Sequence, residues 1–170
     1  MLSKKLEEAL NAQINAELWS AYLYLAMSAD FASKGMPGFA NWMNIQFQEE
    51  QAHALKFLNY VISRGGKPEL RPIEKVQTEW ASPLEAFKDT LEHEHTVTSL
   101  INNLNALAGE EKDYATQSFM KWFIDEQVEE EENDQAIIDA LKMIGDNGFG
   151  LYQLDKELAT RVFVPITPAP

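Results

Sequence analysis

The stretch "GGKPELRPIEKVQTEWA", residues 65–81, decides the fold. It separates two long helical segments, whereas the neighbouring connections "SKGMPG" and "GEEKD" are only a few residues long and should join antiparallel neighbours. A helix of roughly 27 residues is about 40 Å long at 1.5 Å per residue. A fully extended connection of this size reaches about 55 Å, so it can cross the whole length of such a helix. The spacing predicts an all-α four-helix bundle with one long crossover between the second and third helices, which then run parallel.

Working outward, residues about 4–33 are rich in Leu, Ala and Glu and are closed by Gly35. Met36-Pro37-Gly38 opens the second segment, with proline acceptable in a first helical turn, and Gly65-Gly66 ends it. Ser82-Pro83-Leu84-Glu85 starts the third, where Ser82 can cap and Glu85 can reach back as a capping box; it ends near Gly109. The fourth runs from about Asp113 to Ile144 and stops at "GDNGFG". A short fifth helix is expected over about 147–160, followed by a proline-rich extended tail over 161–170. There is no internal repeat of solenoid period, and residues 1–170 read as one domain.

The chain contains no cysteine, which removes disulfides, thiolate metal sites and cysteine nucleophiles and leaves oxygen and imidazole to hold any metal. With 27 acidic against 14 basic side chains the formal net charge is −13, which opposes a nucleic-acid backbone and favours cations. The opening "MLSKKLEEALNAQINAEL" offers no apolar signal core, and no run approaches membrane-spanning length. A soluble cytoplasmic protein is expected, with no nucleic-acid or membrane partner.

Residues seven apart lie almost on one line of an α-helix. Read that way, the first helix gives Leu10, Glu17, Tyr24, Phe31 and the second gives Met43, Glu50, Phe57. The third gives Phe87, Glu94, Ile101 and the fourth Phe123, Glu130, Ile137. Each helix thus sets one glutamate among apolar neighbours on its buried face, near the middle of its segment. Midpoints meet at one level whichever way the helices run. Carboxylates converging in a dry interior repel, and removing even one from water costs several kcal/mol in practice. Protonation relieves part of this; a pair of divalent cations relieves it and uses the oxygens as ligands. His53, three residues after Glu50, lies on the same face, and Glu-x-x-His with carboxylates and no thiolate suits iron, manganese or zinc.

Other residues are less decided by pattern. His93 and His95 are turned about 100° to either side of Glu94, towards solvent or neighbouring helices, and are not counted as ligands. The run Glu129–Glu132 is by default a solvated face, but Glu126 and Glu129 border Glu130 and can meet Glu49 to make a second, looser acidic site. Tyr24 is either a packed, hydrogen-bonded core residue or a proton or electron donor beside the metals. Gln127 and Trp122 carry the same two readings.

Taken together, Glu17, Glu50-x-x-His53, Glu94 and Gln127-x-x-Glu130 on four helices with a long crossover resemble the non-haem bacterial ferritins, and the likeness spans essentially the whole chain. The resemblance implies a ferritin-like bundle with a ferroxidase centre. One iron is held by Glu17, Glu50 and His53, the other by Glu50, Glu94 and Glu130, with Glu50 bridging, Gln127 beside the centre and Tyr24 as the family's adjacent tyrosine. It further implies a third, transient iron site at Glu49, Glu126 and Glu129, with Glu130 shared, and a hollow homo-oligomeric shell of twenty-four subunits with the fifth helix near a pore. Haem-containing bacterioferritins have a second Glu-x-x-His where this chain has Gln127 and Glu130, and a haem-ligating methionine where it has Gln51, so no haem is expected. Rubrerythrin-like peroxidases need a cysteine-ligated iron domain, and the smaller DNA-protecting relatives bind metal between subunits and lack the fifth helix.

The expected activity is iron storage, with ferrous ions oxidised by dioxygen and ferric product deposited as mineral. The competing expectations are a di-iron oxygenase or peroxidase acting on a small substrate, and a helical divalent-metal buffer without redox turnover.

Overall fold

Each helix begins where the sequence supplies an acceptor or a proline. In the computed structural model, which describes residues 1–166, α1 (Lys4–Ser33) opens with the Ser3 side chain accepting from the Leu6 amide at 3.2 Å. Proline occupies the first turn of α2 (Pro37–Ser63). Ser82 caps α3 (Pro83–Glu110), and Glu85 reaches back to the amide of Ala81, one residue earlier than a standard capping box. Asp113 caps α4 (Tyr114–Ile144) and Asn147 caps α5 (Gly148–Leu158). Residues 159–166 contain neither helix nor strand, and the last four residues of the expected tail lie outside the described residues.

The strap from residue 64 to 82 is pinned at both ends of α1. Near the start of that helix Asn11 donates to the Lys67 carbonyl at 3.0 Å and accepts from the Glu69 amide at 2.8 Å, while Arg71 pairs with Glu8 at 2.6 Å. Near its end, Val76 and Trp80 are buried, and the Trp80 amide donates to Asp30 at 3.2 Å. The chain therefore leaves α2 at one end of the bundle and enters α3 at the other, making α2 and α3 parallel as expected. Two antiparallel hairpins, α1–α2 and α3–α4, pack face to face, and α5 lies across the start of α2.

That last contact depends on Gly38. A Cβ there would lie 1.6 Å from the Asp155 carbonyl oxygen, so only glycine lets α5 come this close. Asp155 in turn accepts from the amides of Gly38 and Phe39 at 2.7 and 3.1 Å, capping an α2 that has no side-chain cap of its own.

The apolar interior is divided. One cluster, including Tyr24, Met27, Phe31, Phe39, Met43, Phe87 and Ile137, fills the end nearer α5. The other, including Leu10, Ile14, Phe57, Val97, Ile101 and Phe123, fills the opposite end. Between them, Glu17, Gln46, Glu50, His53, Glu94, Gln127, Glu130 and Asp134 are all buried. A polar layer thus lies across the middle of the bundle.

Candidate metal centre

The layer is built from helix positions whose neighbours one turn away are core. Glu17, Glu50, Glu94 and Glu130 are at most 4% exposed, and among the described residues no lysine or arginine pairs with any of them. One ligand atom from each of Glu17, Glu50 and His53 falls within 4.8 Å of the others. His53 turns Nδ1 to this pair, 3.5 Å from Glu50 Oε1 and 3.9 Å from Glu17 Oε2. Its ring is fixed edge-on by Trp122 and Phe123, with centroids 5.4 and 5.9 Å away, which gives Trp122 a packing role.

Glu94 and Glu130 share the layer but fall outside that three-residue group. Glu94 accepts from the Tyr24 hydroxyl at one oxygen and from Gln127 Nε2 at the other, 3.0 Å away. Glu130 accepts from Gln46 Nε2 at 2.8 Å, and Gln13 donates to Glu17 at 2.8 Å. Glu50 is treated differently: its Oε2 is buried with no hydrogen-bond partner. An orphaned buried carboxylate oxygen is the kind of group that a cation can satisfy.

The electrostatics agree with the geometry. Burial, followed by the charge of Glu50, pushes the Glu17 carboxyl well above the usual range, and burial followed by the charge of Glu94 does the same to Glu50. Glu94 is raised to about 7 by burial and by Glu130. Burial, then Glu94, raises Tyr24 as well. Glu17, Glu50 and Glu94 thus each resist ionising in this layer, and a bound cation reverses that preference.

Glu49, Glu126 and Glu129 line an open groove of about 1120 Å³ that also reaches His53 and Trp122. His53 Nε2 lies 4.0 Å from Glu126 Oε1, so the ring stands between the buried layer and this cluster. Burial raises Glu49 to about 7 despite its contact with Arg161, and raises Glu126. His93 instead meets Ser20 Oγ at 2.7 Å and packs on Trp19, facing α1, while His95 is exposed beside Glu131.

Four polar partners escaped the sequence reading. Gln13 and Gln46 each lie one turn before a layer glutamate, a spacing that was legible. Asp134, buried with Oδ2 unpartnered, lies one turn after Glu130 and was equally within reach of the pattern. Arg161 lies beyond α5 and had no local signal.

Residues 7–144 match the family described as "Ferritin-like domain". A protein of Bacteroides fragilis (strain 638R) named "Bacterial non-heme ferritin" is 46% identical over 161 residues, covering 95% of this chain and 100% of its own. One of the same name from Staphylococcus aureus (strain MRSA252) is 45% identical over 163 residues, covering 96% and 98%. Among solved structures, the "novel open pore ferritin" of Archaeoglobus fulgidus superposes with a TM-score of 0.94 at 48% identity, covering 95% of this chain and 100% of its own. A "Humanized Archaeal ferritin" gives 0.96 at 49% identity, covering 97% and 100%.

Proposed function

The chain belongs to the ferritin family, and from that premise together with its buried acid layer we propose that it stores iron. Ferrous ions are oxidised by dioxygen within the layer, and ferric mineral is deposited inside a protein shell. The observation that carries this reading is the convergence of Glu17, Glu50 and His53 in the buried interior, with no lysine or arginine paired to them among the described residues.

Iron enters as substrate and gives up its electron to dioxygen. Glu17, Glu50 and His53 would hold one ion and Glu50, Glu94 and Glu130 the second, with Glu50 shared between them. Tyr24 and Gln127 donate to opposite oxygens of Glu94 and keep that carboxylate oriented. Glu17, Glu50 and Glu94 are held above their ordinary range, so loading with metal releases protons. Anionic oxygen ligation then favours the ferric state, because the higher charge gains more from the same carboxylates. Glu49, Glu126 and Glu129 form a third, weaker site through which product leaves towards the mineral.

One bundle encloses no volume, so storage requires a homo-oligomeric cage, which we take to have twenty-four subunits with residues 1–170 acting as one domain. Support comes from apolar side chains left on the surface, among them Leu55, Ile62, Phe149 and Tyr152. We take the compartment to be the cytoplasm. No helix among the described residues is long and apolar enough to cross a membrane. No haem takes part.

Aerobic addition of ferrous iron to metal-free protein tests the reading. Rapid oxygen uptake followed by a soluble ferric core of many irons per subunit is expected. Two tightly held irons without a core indicate an oxygenase or peroxidase, and binding without catalysed oxidation indicates a metal buffer.

A further inference from the structure

Past α5 the chain turns back along α2 and delivers a guanidinium to the acids. Arg161 Nη2 donates to Glu49 Oε2 at 2.7 Å, and its Nη1 donates to Gln46 Oε1. The guanidinium carbon stands 4.0 Å from the centre of the Trp42 ring. The segment is anchored by Asn41, whose Nδ2 donates to the carbonyls of Leu158 and Arg161 at 3.1 and 3.0 Å. Gln46 then passes the contact inward, donating to Glu130 at 2.8 Å. One cation from the C-terminal segment therefore touches an acid of the groove directly and an acid of the buried layer through a single amide.

We propose that Arg161 is the resident counter-ion of the Glu49, Glu126 and Glu129 site, occupying Glu49 when metal is absent and competing with a divalent cation for that carboxylate. The inference rests on reading those three acids as a metal site. Three features support it. Arginine keeps its charge at every physiological pH, so the competitor is always present. Its side chain and that of Glu49 are only 17% and 18% exposed, which makes the pair stronger than one on an open surface. Arg161 also lines the groove containing all three acids. Engaging one of three carboxylates leaves a site that binds weakly and releases readily, as a transit site must. Arg161 is a positioning residue; it need not touch iron.

Calorimetric titration of the assembled, metal-free protein with Zn²⁺, which undergoes no redox chemistry, tests this without measuring activity. The parent should show a tight phase from the buried layer and a weaker phase from the groove. Arg161→Gln should tighten the weaker phase about tenfold, the scale expected when one charge-assisted competitor is removed. Arg161→Lys, which keeps a cation without the planar fork, should fall between the two, and adding Glu49→Gln to Arg161→Gln should abolish the gain. A weaker phase in Arg161→Gln that is unchanged or loosened overturns the proposal, as does a gain that survives loss of Glu49. A parent with no weaker phase overturns the reading of the site itself, so the two failures are distinct.

Discussion

The Tyr24 hydroxyl donates to Glu94, a bond that ties α1 to α3 across the middle of the bundle. It is one of two donors holding that carboxylate, the other being Gln127. Tyr24→Phe removes the donor and keeps the packing. Zinc stoichiometry should be unchanged while repeated turnover of iron oxidation slows severalfold, measured by oxygen uptake over successive additions of ferrous iron. Equal rates throughout would return Tyr24 to a packing role.

His53 contributes the one nitrogen of the converging group. His53→Ala should slow the fast phase of oxidation at least ~10²-fold, at or above the upper end of effects seen for residues that merely support ligands. Helical content and particle size should be retained, because the variant leaves no new unpaired charge. Oxidation at the parental rate would show that the first iron is held elsewhere.

Glu94, raised to about 7, makes stability depend on pH in a direction opposite to most salt-bridged acids. An acid with a raised pKa binds its proton more tightly in the native protein than in the unfolded chain. Its contribution to stability is therefore greatest below 4.5 and is lost as pH rises through about 7. The loss is on the order of 3 kcal/mol for a shift of this size. The melting temperature of metal-free protein should fall between about pH 5 and about pH 8, and Glu94→Gln should gain most over the parent at the upper end. Zinc should restore the parent there. A Glu94→Gln advantage that is the same at both pH values would contradict the shift.

Gly38→Ala places a methyl 1.6 Å from the Asp155 carbonyl oxygen, so α5 must move or α2 must bend. Overpacking of this kind typically destabilises by roughly 1–3 kcal/mol. The melting temperature should drop, and trypsin should cut faster at Lys156 and Arg161. A variant as stable and as protease-resistant as the parent would mean that α5 is not held against α2 as described.

Much of this was legible in the sequence. The strap, the parallel pair it creates and the four buried glutamates followed from chain length and a seven-residue reading, because helix geometry converts spacing directly into facing direction. Capping at Ser82 was equally readable. Which of two faces His93 took was not, since its partner Ser20 lies on another helix. The link from Arg161 to Glu49 was beyond reach for the same reason: it joins residues 112 apart and depends on how α5 docks, a matter settled by a glycine rather than by any periodic pattern.

The polar layer is shared between two hairpins. Glu17, Glu50 and His53 sit on one hairpin, Glu94, Gln127 and Glu130 on the other, and the strap is the covalent link between them. Glu17 faces Glu50, and Glu94 faces Glu130, within one hairpin each, but Glu50 meets Glu94 only when the hairpins pack together, so that packing is opposed by like charge and favoured by a divalent ion. By mass action, an ion that binds the packed form alone is a ligand of maturation as well as of turnover.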